Sequence, residues 1–131
     1  MRCICTRLHG GDDIMLSIKD LCKTEHIRAG VILSGVGCVL RTRLRDAGGV
    51  NIHEIAEHME IVSMTGTVSE NRCHIHISLS KEDLSTIGGH MTEGCIVNTT
   101  CELVIGELEG TQIVEEFDVK TGYGEAVFKR L

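Results

Sequence analysis

Three histidines carry the chemistry that this sequence offers. His74 and His76 stand one residue apart in the run Cys73-His74-Ile75-His76-Ile77-Ser78-Leu79-Ser80, and His90 follows the pair Gly88-Gly89. The run alternates strictly. Cys73, Ile75, Ile77 and Leu79 fall on one face of a strand, and His74, His76, Ser78 and Ser80 fall on the other. Two histidines at that spacing have Cα atoms about 6.5–7 Å apart and point the same way. A loop histidine freed by two glycines closes the set to three. Three imidazoles with a fourth position open are the ligand set of a zinc ion that keeps room for water or substrate. The spacing also fits histidines that hydrogen-bond across a subunit interface with no metal, since polar groups on a covered sheet face need partners.

Two carboxylates follow in sequence. Glu93 comes three residues after His90, and Glu102 lies on a strand expected over residues 99–108. Either could serve as a fourth ligand, an orienting group or a general base. Glu102 is the preferred catalytic candidate; its bland reading is an exposed strand carboxylate or an inter-subunit ion pair. Arg41, Arg43 and Arg45 alternate with Leu40, Thr42 and Leu44 and so share one strand face. Such a row is usually solvated; its sharper reading is a contact for an anion, an acidic partner or nucleic acid. The glycine pairs at 10–11, 48–49 and 88–89 lack the lysine and hydroxyl residue of a phosphate-binding loop.

The elements that must position these residues follow from periodicity. A strand is expected over residues 1–8. Asp12 and Asp13 then open a helix whose apolar face is Ile14, Ile18, Leu21 and Cys22, ending near His26. Extended segments are expected at 31–44, 60–68, 73–80, 99–108 and 113–119, with a connecting strand or turn at 50–58 and a mixed tail at 125–131. Gly35 and Gly37, inside an extended segment, signal a bulge or a close backbone approach. About seven strands and one main helix make an α+β domain on a mainly antiparallel sheet, a single domain over residues 1–131.

Composition agrees with one aliphatic core. The chain has 131 residues, 42% hydrophobic and 24% charged, with no proline and 2% aromatics. Seven cysteines at 3, 5, 22, 38, 73, 95 and 101 form no C-x-x-C pair, so they read as free, small apolar residues in a reducing cytosol, Cys3 and Cys5 included. No basic-apolar leader and no membrane-length apolar run occur, and a cytoplasmic location without membrane contact is expected. A net charge of −6 opposes a general attraction to nucleic-acid phosphates.

Several blocks resemble the PPC (plants and prokaryotes conserved) domain family in its stand-alone prokaryotic form. They are Glu60-Ile61-Val62-Ser63-Met64-Thr65-Gly66, the run from His74 to Ser80, and Gly88-Gly89-His90 through Gly94 to Thr100-Cys101-Glu102-Leu103-Val104-Ile105; Thr121-Gly122-Tyr123 also resembles the prokaryotic ending. The resemblance implies a homotrimer of compact α+β subunits and a DNA-binding-related role. Plant members reach A·T-rich DNA through a separate proline-containing hook, which a chain without proline does not have. The histidine set alone is also similar to the zinc site of acetolactate decarboxylase. Two functions follow as expectations. One is a trimeric zinc-binding protein with a regulatory, small-ligand or DNA-related output. The other is a zinc enzyme acting on a small carbonyl-containing or ester substrate, in which the metal polarises a carbonyl or lowers the pKa of bound water to about 7.

Overall fold

The computed structural model describes residues 1–131. The order is β1 (Arg2–His9), α1 (Ile14–Thr24), β2 (Gly30–Arg45), β3 (Ile52–Ile55), β4 (Met59–Val68), β5 (Cys73–Ser80), β6 (Thr86–Met91), β7 (Ile96–Glu107), β8 (Thr111–Asp118) and β9 (Tyr123–Arg130). Seven strands form one sheet in the order β1-β7-β2-β4-β5-β6, with β3 added on β2. The strands β8 and β9 make a separate hairpin. Every pairing is antiparallel, so the α+β class with a mainly antiparallel sheet and one helix is the observed architecture.

The sheet closes on itself because β2 is long. Over its first part, β2 lies between β7 and β4. At Leu44 and Arg45 it lies between β3 and β6 instead. The ring β2–β4–β5–β6–β2 results, and it removes the open edge that β6 would otherwise present. The pairing of β2 with β7 shifts register between Gly37 and Cys38, where a Cβ on Gly37 would sit 2.1 Å from the Thr100 carbonyl oxygen. Only glycine permits that approach.

The helix starts where the aspartates place it. Asp13 is the N-cap, and its carboxylate accepts the Leu16 N–H at 3.0 Å. Its second oxygen accepts the Gly94 N–H at 2.8 Å, which ties the helix start to the turn after β6. Ile14, Met15, Ile18 and Cys22 are buried and join one core with Ile75, Ile77, Leu79, Met91, Leu103 and Ile105. That core is aliphatic and sulfur-containing throughout, as a chain nearly devoid of aromatics requires.

Three local expectations are corrected. His90 is on a strand, β6, and not in a loop. The tail 125–131 is largely strand β9. Cys3 and Cys5 are exposed, because the alternation of β1 turns Leu8 and the half-buried Ile4 and Thr6 inward instead. All seven cysteines are free thiols. No helix is long and apolar enough to cross a membrane.

Candidate metal centre

Strand alternation sets the histidines apart from the core. Ile75, Ile77 and Leu79 are at most 3% exposed, so His74 and His76 must project from the other face of β5. His76 is paired with His90 across the β5–β6 ladder. The two glycines before His90 allow that ladder to form tightly. A Cβ on Gly88 would lie 2.5 Å from the Ile77 carbonyl oxygen, and one on Gly89 would lie 2.8 Å from that of Arg45. The glycines therefore serve close packing of β6 between β5 and the end of β2, rather than a loop conformation.

The three imidazoles converge. One ring nitrogen from each lies within 4.8 Å of the other two. The Nε2 atoms of His74 and His76 are 3.2 Å apart. Two nitrogens bound tetrahedrally at about 2.0–2.1 Å from zinc are separated by about 3.3 Å, so this pair already has the required spacing. His90 needs a movement of at most about 1.5 Å to match, from 4.8 Å to about 3.3 Å, within the reach of its side-chain torsions. Its Nδ1 is buried without any hydrogen-bond partner. An orphaned buried nitrogen is costly, and proteins keep such atoms mainly where a ligand or function needs them. The residues present thus fit a divalent ion bound by imidazole.

Electrostatics favour the neutral, ligating form of His74 and His90. His90 is lowered to about 4, first by burial and then by the charge of Arg45. His74 is also lowered, first by burial and then by His76. Arg45 is cross-strand from His90 on the β2–β6 ladder. Arg72, in the turn before β5, lends a further positive field, but its guanidinium is engaged: Nε donates to Glu115 Oε1 at 3.1 Å and Nη2 to the Gly124 carbonyl at 3.4 Å. These bonds hold the β8–β9 hairpin beside the histidines, where Glu125 supplies an opposing negative charge to His74.

The other sequence candidates lie elsewhere or play mixed parts. Glu102 is exposed on β7, opposite Arg7 and Val36, and β7 pairs with neither histidine strand. Val36 also stands near the middle of β2, well before Arg45 at its end. Glu93 pairs with Lys19 at 3.3 Å. Both line an open groove of about 370 Å³ that reaches His90. The arginine row divides: Arg41 is exposed, Arg43 pairs with Glu54 at 3.3 Å, and Arg45 is half-buried beside His90. Nothing local in the sequence signals the Arg45–His90 pairing, because it depends on the register of strands far apart in the chain.

Comparison with known proteins finds relatives of the chain as a whole. Residues 1–109 match the Plants and Prokaryotes Conserved (PCC) domain. A hypothetical protein of Salmonella has a solved structure that superposes with a TM-score of 0.96 at 29% identity, over 98% of this chain and 94% of that one. A protein of Bacteroides thetaiotaomicron, provisionally named as DNA-binding, gives 0.87 at 25% identity, over 98% and 93%. A protein of Archaeoglobus fulgidus described as metal-containing gives 0.81 at 27% identity, over 97% and 94%. Among curated proteins, the bifunctional protein GlmU of a Synechococcus strain is 30% identical over 119 residues, 91% of this chain. This chain spans 19% of that protein's length.

Proposed function

The chain belongs to the Plants and Prokaryotes Conserved domain family, and from that premise we propose that it is a metal-binding member, with zinc held by His74, His76 and His90. The observation that carries this reading is the convergence of three imidazoles from two paired strands on one point. The metal-containing description of the Archaeoglobus relative supports it. Imidazole ligands suit zinc, and three of them leave a coordination position free. Bound there, zinc would act as a Lewis acid or activate a water. The chain's own residues favour the neutral form of His74 and His90, orient the rings through the β5–β6 register and close one side with the β8–β9 hairpin. Elemental mass spectrometry on untagged protein, prepared without chelator, tests the reading: about one zinc per chain, lost in His74→Ala/His76→Ala, is expected.

The working form we propose is a homotrimer. Val62, Phe117, Val119 and Phe128 leave more than half of their surface open in one chain, with Phe117 at 70% and Val119 at 86%. A two-stranded hairpin such as β8–β9 is marginal by itself and gains from a neighbour. Sedimentation equilibrium at three times the chain mass is the expected result, and a monomer would end this part of the reading. A regulatory output, DNA contact included, would pass through the exposed Arg41. The provisional name of the Bacteroides relative supports it, and the net charge of −6 opposes it.

The open groove beside His90 favours a second reading, a zinc-dependent enzyme acting on a small carbonyl-containing or ester substrate. Glu102 could join that chemistry only from another copy, given its place on β7. Glu102→Gln with metal retained separates enzyme from binding module: lost turnover favours the first.

A further inference from the structure

Only two buried side-chain nitrogen or oxygen atoms lack a hydrogen-bond partner: Arg45 Nε and His90 Nδ1. They belong to residues directly opposed on neighbouring strands. His90 Nδ1, orphaned as it stands, is the nitrogen left free for an ion. Arginine Nε–H is always a donor. A donor on a permanent cation thus stands unmatched beside the metal ligand.

Neighbouring cations are not in this state. Lys19 and Arg43, which line the groove beside His90, are paired with Glu93 and Glu54. Arg72 is paired with Glu115. Arg45 is half-buried and has no carboxylate within ion-pair distance. A buried Nε–H without an acceptor costs free energy, and a guanidinium with no carboxylate partner can receive a ligand carboxylate or phosphate through two parallel hydrogen bonds.

We propose that the three-histidine centre takes an oxyanion as its ligand, with the acid group held by Arg45 beside the metal. This rests on the metal reading and narrows it. The substrate or effector is a small molecule bearing a carboxylate or phosphate, and Arg45 selects for that group. Arg41 and Arg43 take no part, because the first is exposed away from His90 and the second is already paired. The basic stripe of the sequence thus reduces at this site to one residue.

The test uses full-length protein loaded with cobalt(II), whose visible spectrum reports the coordination sphere. Acetate and inorganic phosphate are titrated separately and the spectral change followed, which also tells carboxylate from phosphate preference. At least one of them is expected to bind wild type and Arg41→Gln alike, and to bind Arg45→Gln about tenfold to a hundredfold more weakly, the loss set by hydrogen bonds to a charged group. Arg45→Lys should fall between, since it keeps the charge and loses the fork; it also serves if Arg45→Gln fails to fold. A normal cobalt spectrum with anion affinity unchanged in both Arg45 variants, or no response to either anion, overturns the proposal and leaves the metal reading standing. A wild-type protein that binds no cobalt overturns both.

Discussion

His90 stands opposite His76 on one side of its strand and opposite Arg45 on the other. It is therefore the residue through which the end of β2 reaches the histidine pair of β5. Removing its ring should do more than remove one ligand. His90→Ala is expected to lower zinc affinity by more than the ~10–100-fold that losing an outer partner of a ligand costs, while the domain stays folded. Competition with a chromophoric chelator measures this, and unchanged affinity would exclude His90 as a ligand.

The metal-free protein should lose stability as pH falls through the range where free histidine titrates. His90 is lowered to about 4 by burial and by Arg45. In the unfolded chain it takes up its proton near the ordinary value of about 6.5. Between those values the unfolded state binds a proton that the folded state refuses, so this contribution is full above about 6.5 and declines toward 4. Urea midpoints at pH 7.5 and pH 5 should differ more for wild type than for His90→Gln. Equal differences would mean that His90 titrates normally.

The same depression should protect metal binding in mild acid. Protons compete with zinc only when the imidazoles accept them, and His74 and His90 are both lowered. Zinc should be retained further into acid than three unperturbed histidines would hold it. Release centred near pH 6.5 would contradict the lowering at His74 and His90.

Gly88→Ala should strain the β5–β6 ladder. The added Cβ would lie 2.5 Å from the Ile77 carbonyl oxygen, a backbone atom that cannot rotate away. A cost of about 1–3 kcal/mol, typical of overpacking, is expected in chemical denaturation. Zinc affinity should fall with it, since His90 depends on that ladder. A neutral effect on both would show that β6 can move without consequence.

Asp13→Ala should cost about 1–2 kcal/mol of stability, at the upper part of the range for an N-cap. Its carboxylate serves two N–H groups, Leu16 in α1 and Gly94 after β6. Asp13→Asn should recover part of the loss. Thermal denaturation of both variants checks the order.

Much of the fold was legible because strict alternation leaves few choices. In β5 the four apolar positions could face only one way, which placed His74 and His76 together on the other. The helix was equally plain from its aspartate cap and the spacing of Ile14, Ile18 and Cys22. Segment 86–91 misled because glycine pairs usually mark turns. Here Gly88 and Gly89 mark crowding by two neighbouring backbones, and crowding is a property of neighbours, not of the segment. The β9 strand was obscured for a similar reason, since its partner β8 defines it more than its own pattern does.

The sequence by itself determined the aliphatic core, the helix and the face that carries the histidine pair, because each follows from local period and side-chain chemistry. The sequence also named His90 as the third member; tertiary structure alone decided that His90 arrives on a strand paired with β5, that Arg45 rather than Arg41 or Arg43 stands beside it, and that Glu102 lies on another part of the sheet. Those facts are set by strand register and by the turn of β2 from β4 to β6. A slip of one residue would send each side chain to the opposite face, and no stretch of sequence read alone contains the partner that prevents it.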